Sequence, residues 1–277
     1  MKETLNEAGV IITIIIREGR MDQPSLQHAV VGLLSQNAHR RTFSVMHRNQ
    51  KYWVKQPDAG EANVWHKIML MLSKLLKNNF FRPTVVTNPK NSLAYEARRL
   101  QELKKNGINV PEVMLHTPTY LVLEDAGTPL NVLLLNSGMR HEEKKSLLVQ
   151  LSRSLADMHN RGFYHSRPAL RDMAYKEGKI YFMDFEENLE NSLSTKEAIV
   201  RDGFLYAHTL YRKITDPELV ETALDAYHRS LRPDLWDALT SEAQRYHVTH
   251  SLLKPIRPYL GKDGVAIFDT LKYFRQF

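Results

Sequence analysis

The chain has 277 residues, an apolar share of 43% and a formal charge of +7, a balance that excludes a disordered or fibrous protein and favours anionic partners such as nucleotides or acidic head groups. It contains no cysteine, which excludes a disulfide framework, a thiolate nucleophile and any cysteine-based metal centre.

The most apolar N-terminal run, Val10 to Ile16, is interrupted by Thr13 and preceded by Glu3 and Glu7. It is too short to span a bilayer and wrongly flanked for a secretory signal, so the protein is expected to be cytoplasmic. Its β-branched residues predict a strand over Ile11 to Ile16, followed by a turn at Arg17 to Arg20. Ser25 is placed to cap a short helix through Leu34. Thr42 to Met46 and Lys51 to Lys55 then predict a hairpin joined by the polar turn His47 to Gln50, with a lysine ending the second strand.

From Trp65, the residues Ile68, Met69, Leu72, Leu75 and Leu76 recur at helical spacing, with Lys67, Lys74 and Lys77 largely off that stripe. A basic amphipathic helix over 65–76 is expected, packed on its own lobe or in peripheral contact with an anionic membrane at its inner face. Ser92 can cap a further helix through Glu96 to Lys105 that stops at Asn106-Gly107. A strand is expected over Tyr120 to Glu124. The remainder reads as helical over Glu142 to Asn160, Thr195 to Lys213, Pro217 to Ser230 and two shorter pieces, interrupted by a loop-strand segment from Phe163 to Phe185.

Three segments carry the chemistry: Tyr52-Trp53-Val54-Lys55, the helix bearing Glu96, and His165-Ser166-Arg167-Pro168-Ala169-Leu170-Arg171-Asp172 followed by Tyr181-Phe182-Met183-Asp184-Phe185-Glu186. In order and setting they resemble the protein-kinase-like superfamily, nearest to bacterial lipopolysaccharide-core and Kdo kinases and to the small atypical kinases of the tRNA-threonylcarbamoylation complex. The resemblance runs from about Phe43 into the helix around Asp202. It implies an α+β, two-lobed fold, with a β-rich N-lobe over residues 1–125 and a helical C-lobe over 126–277. It also implies ATP and Mg2+ as cofactors. Lys55 is then the lysine on the nucleotide phosphates, Glu96 the carboxylate that holds it, and Glu124 the strand end where backbone groups meet the adenine. Asp172 and Asp184 are the metal ligands, and Asp202 braces the catalytic loop.

Two positions depart from the family pattern. Arg167 stands where the catalytic aspartate belongs, and Asp172 where the metal-binding asparagine belongs. Guanidinium cannot accept a proton at working pH, so Arg167 is expected to stabilise transferred phosphate, to bind an anionic substrate, or to be structural. A shifted register, reading Arg171-Asp172 as the base and Glu177 as the metal ligand, is the minority alternative. Glu186 replaces the glycine after Asp184-Phe185, and no glycine-rich phosphate loop is visible.

The expected function is an ATP- and Mg2+-dependent phosphotransferase acting on a sugar, glycolipid or lipid-linked glycan, or another small molecule. The rivals are a pseudokinase without turnover and a basic membrane-surface adaptor. No zinc spacing, hydrolase elbow or P-loop is present, and nucleic acid is not an expected partner.

Overall fold

The protein's structure, a computed structural model, describes residues 2–5, 11–14, 23–57, 89–136, 138–190 and 192–277. The helix expected over 65–76 and the turn at Arg17 to Arg20 lie outside them. The chain is α+β, and its described residues divide into two units: one drawn from residues up to 57, 89–127 and 183–186, the other from 128–182 and 187–277. No helix among the described residues is long and apolar enough to cross a membrane.

In the first unit, β1 (Lys2–Leu5) pairs antiparallel with β2 (Ile11–Ile14). Helix α1 (Gln23–Leu34) follows, and it starts two residues ahead of Ser25, which therefore lies inside the helix and does not cap it. A second sheet, in the order β3-β4-β6-β5, contains β3 (Thr42–His47), β4 (Gln50–Lys55), β5 (Val113–His116) and β6 (Leu121–Glu124). The β3–β4 turn is tighter than expected. His47 pairs with Gln50, and only Arg48 and Asn49, at φ 48° and 60°, make the connection. Positive φ at both positions is what a two-residue hairpin needs to match strand twist.

Alternation builds the core beneath this sheet. Phe43, Val45, Tyr52 and Val54 are buried together with Leu26 and Val30 of α1 and with Met114, Leu115, Tyr120 and Val122. Because successive strand residues point to opposite faces, Lys51, Trp53 and Lys55 line the other face of β4. Helix α2 (Pro89–Lys105) begins three residues before Ser92, consistent with proline's preference for the first helical turn. It ends at Asn106-Gly107, with Gly107 at φ 74°, as a left-handed helix terminus requires.

The second unit has a small sheet of β7 (Thr128–Pro129), β8 (Met173–Lys176) and β9 (Lys179–Phe182). Its helices are α3 (Leu130–Asn136), α4 (His141–Asn160), α5 (Thr195–Lys213), α6 (Pro217–Ser230), α7 (Pro233–Gln244), α8 (His247–Leu253) and α9 (Lys262–Phe274). Local chemistry sets several ends. Ser194 and Glu197 form a reciprocal capping box at the start of α5, and Asp216 caps α6 ahead of Pro217.

Helix α5 is the unit's axis, since every residue from Ala198 to Leu210 is buried, the signature of a helix packed on all sides. Gly203 permits this: a Cβ there would lie 2.3 Å from Leu239 Cδ1 of α7.

The same helix buries His208, whose Nε2 has no hydrogen-bond partner among the described residues. Burial lowers its pKa from 6.5 to about 4, with Arg212 pushing the same way against an upward pull from Asp263. The unfolded imidazole titrates near 6.5 and the folded one near 4, so this group's contribution is complete above pH 6.5 and lost as pH falls through about 4. A difference of this size is worth on the order of 3 kcal/mol. Urea unfolding near neutrality and at about pH 4.5 should show the wild type losing more stability than His208→Gln. Equal losses would remove His208 as the cause.

Candidate functional site

Lys55, at the end of β4, carries its ammonium into a group of carboxylates contributed by three separate segments of the first unit. Nζ lies 2.7 Å from Glu96 Oε2 on α2, 2.5 Å from Asp184 Oδ1 and 3.4 Å from Glu186 Oε2. Glu186 also pairs with the Arg41 guanidinium just ahead of β3. Lys55 and Glu96 are both buried. Between the two acidic residues, Phe185 is buried and Asp184 holds φ 66°, a left-handed conformation that a short polar side chain tolerates better than most.

Among the described residues two cations, Lys55 and Arg41, face three carboxylates, Glu96, Asp184 and Glu186. Burial pulls the Lys55 pKa down, but Asp184, Glu96 and Glu186 together outweigh it and hold the ammonium well above its ordinary value. Burial is the largest influence on Glu96, and it raises that carboxyl above its ordinary value against the attraction of Lys55.

This donor set fits Mg2+. One oxygen from each of Glu96, Asp184 and Glu186 lies within 4.8 Å of the others. Glu96 Oε1, buried, has no hydrogen-bond partner among the described residues, and hard carboxylate oxygens are what that ion takes. The lysine beside them fits an anionic phosphate.

The second unit carries the loop expected to be catalytic. Its His165 backbone N–H donates to Asp202 Oδ2 on α5, the bracing role that the motif implies for Asp202. The other partners of this network are buried: His159 Nε2 lies 3.3 Å from the same oxygen, and His159 Nδ1 lies 2.7 Å from the Tyr227 hydroxyl. The neighbouring Arg201 donates to Glu187 Oε1 at 2.7 Å and to the Ser166 carbonyl at 3.2 Å. Ser166 sits at φ 78°.

Arg167 and Asp172 are both buried and face each other, Arg167 Nε to Asp172 Oδ2 at 3.4 Å, and Arg171 Nε lies 3.4 Å from Oδ1. Glu177 is exposed at the tip of the β8–β9 hairpin at φ 50°. An exposed hairpin tip does not favour the shifted register, which needs Glu177 as a metal ligand.

Of the residues expected from sequence, Lys55, Glu96 and Asp184 are brought together in the first unit, and Arg167 and Asp172 in the second. Glu124 ends β6, with its amide N–H donated to the Glu112 carbonyl and its carboxylate 4.0 Å from Lys104. Beside it Asp125 accepts from Trp53 Nε1 at 2.7 Å, and Lys51 Nζ lies 4.4 Å above the Trp53 ring.

Sequence reasoning missed Arg41 and any active role for Glu186. The signal for Glu186 was its spacing of two from Asp184 across a buried phenylalanine. A lone arginine before a strand gave none.

An α+β chain whose strand-end lysine is clasped by a helical glutamate and by the aspartate of an Asp-Phe-x segment is similar to the protein-kinase-like superfamily. No protein-family model matches the chain. It is 26% identical over 256 residues to an uncharacterized protein of Haemophilus influenzae, covering 92% of this chain and 98% of that one. It is 27% identical over 124 residues to the KEOPS complex subunit Bud32 of Pyrococcus abyssi, covering 43% of this chain and 56% of the relative. Among solved structures, WaaP in complex with acyl carrier protein is similar with a TM-score of 0.47 and 14% identity, over 92% of this chain and 99% of that one.

Proposed function

We propose that the protein is an atypical kinase-like phosphotransferase that uses ATP and Mg2+ and acts on a sugar, a glycolipid or another small molecule. The observation that carries this reading is the buried Lys55 ammonium held between Glu96 and Asp184. Phosphoryl transfer asks little covalent work of a protein and much positioning and charge neutralisation. Bound Mg2+ supplies neutralisation of the phosphate oxygens. Lys55 binds those oxygens as a point charge, and Glu96 keeps its ammonium aimed. Asp184 and Asp172 are the metal-holding carboxylates of this reading, with Glu186 a further donor beside Asp184. The β6 end at Glu124 presents backbone to the base, and Trp53, on the same face of β4 as Lys55, offers it an aromatic surface. Arg167 acts as a fixed cation toward phosphate or an anionic acceptor, because it has no proton to take.

The test is calorimetric titration of ATP with and without Mg2+, on wild type and Asp184→Asn, with nucleotide hydrolysis followed in the same samples. Metal-dependent binding in the wild type, weakened at least about tenfold in the variant together with hydrolysis, is the expected result. Absence of nucleotide binding to the wild type at any Mg2+ level would overturn the reading.

One observation favours a pseudokinase instead: two arginines already neutralise the Asp172 carboxylate. Under that reading nucleotide binds without turnover, whichever small-molecule acceptor is added.

A further inference from the structure

Helix α8 and the turn after it carry large apolar side chains away from the body of their unit. Three residues pin the helix inward. Tyr246 meets Phe204 edge-on at 6.5 Å between centroids, His250 stacks on Phe268 at 4.4 Å, and Leu253 is buried. Positions 246, 250 and 253 share one helical face, so Val248 and Leu252 project from the opposite one. They are 54% and 68% exposed, and Ile256 at 46% and Tyr259 at 89% continue the ridge. All six residues from 254 to 259 are exposed, Pro255 and Pro258 among them, and the two proline rings stiffen the turn.

The charge around this ridge has one sign. From 243 to 262 the sequence has no aspartate or glutamate, but has Arg245, Lys254, Arg257 and Lys262. The nearest carboxylates are engaged: Glu242 with Arg245 at 2.9 Å, Asp269 with Arg257 at 2.9 Å, and Asp263 with Arg212. Lys254 and Lys262 are exposed. A protrusion of aliphatic side chains, one tyrosine and lysines suits a fluid interface whose head groups are negative.

We infer that this α8 tip docks on an anionic membrane surface, with Val248, Leu252, Ile256 and Tyr259 entering the head-group boundary and Lys254 and Lys262 meeting lipid phosphates. None of these residues belongs to the site proposed for phosphoryl transfer, so the inference stands or falls independently of it.

The test is co-sedimentation of the full chain with vesicles of phosphatidylcholine alone or mixed with phosphatidylglycerol. It uses the wild type, the double variant Leu252→Glu/Ile256→Glu, Lys254→Glu and Tyr259→Trp. Binding is expected only with phosphatidylglycerol and should weaken as salt rises. The double variant should lose at least about tenfold in affinity and Lys254→Glu roughly tenfold. The Tyr259→Trp emission should shift to the blue on anionic vesicles. Unchanged thermal melting of the variants would show that these exposed positions do not maintain the fold.

Absence of vesicle binding, equal binding to neutral vesicles, or full binding by the double variant would overturn the inference. So would a wild-type dimer that the double variant converts to monomer without any vesicle binding, which would make the ridge a self-association surface. Retention on RNA in place of vesicles would overturn it as well.

Discussion

Replacing Lys55 with methionine is expected to abolish Mg2+-dependent ATP binding and to cost about 3–5 kcal/mol of stability near neutral pH, the price of breaking a buried ion pair and stranding its partner. The loss of binding should exceed about a hundredfold, since one charge-assisted contact to phosphate disappears and the carboxylates that surrounded it are left to repel the nucleotide. The stability loss has a pH signature. Without Lys55, the ion-pair partner left to this carboxylate group among the described residues is Arg41, beside Glu186. Burial already raises the Glu96 pKa, and losing the ammonium raises it further. A raised carboxyl contributes stability that is complete below its unfolded value of about 4.5 and lost as pH rises through the folded value. The variant should therefore recover stability as pH is lowered toward 5, where the wild type gains less. Urea titrations of both proteins at about pH 7 and pH 5 measure this, and a Lys55→Met protein as stable as wild type at both would contradict the charge balance described for the cluster.

Asp202→Ala should be the most damaging single change in the helical unit, at about 3 kcal/mol or more. Asp202 is fully buried and accepts the His165 backbone N–H, so alanine leaves a buried donor unsatisfied where no water reaches it. The substitution also opens space beside His159, whose other nitrogen meets Tyr227. Asp202→Asn keeps the shape and one acceptor oxygen and should cost clearly less. Chemical denaturation of the three proteins ranks them, and an alanine variant as stable as the asparagine one would mean that the loop does not depend on this hydrogen bond. Slower hydrolysis without weaker nucleotide binding in Asp202→Asn would mark it as a positioning residue for the loop.

Neither effect would be expected if these charges were ordinary surface pairs. Exposed pairs such as Arg229–Asp225 or Arg232–Asp234 are worth a few tenths of a kcal/mol to about 1 kcal/mol, and salt removes much of that. Burial changes the arithmetic because the alternative to the ion pair is an uncompensated charge. This also explains why a charge cluster persists at the end of β4, although apolar packing there would be more stable. Under the proposed function, the carboxylates and lysine are held for what they bind.

Local chemistry made much of the helical unit legible. The bounds Thr195–Lys213 and Pro217–Ser230 match expectation because Ser194 with Glu197 and Asp216 with Pro217 are signals written within four residues. The hairpin ending in Lys55 and the helix bearing Glu96 were legible for the same reason: period 2 and period 3.6 are visible in a single segment. The helix starts at Ser25 and Ser92 were misjudged because each segment carries a proline upstream, which extends the first turn beyond the serine.

By itself, the sequence determined which residue types lie at strand end, mid-helix and loop, and hence that Lys55, Glu96 and Asp184 follow one another in a kinase-like order. Only the tertiary structure decided that Glu186 and Arg41 join them, that Arg167 and Asp172 neutralise each other, and that Val248 and Leu252 face outward while Leu253 is buried. Charge pairing and exposure depend on segments far apart in the chain, 145 residues apart for Arg41 and Glu186, and no periodicity within one segment records which distant neighbour will cover it.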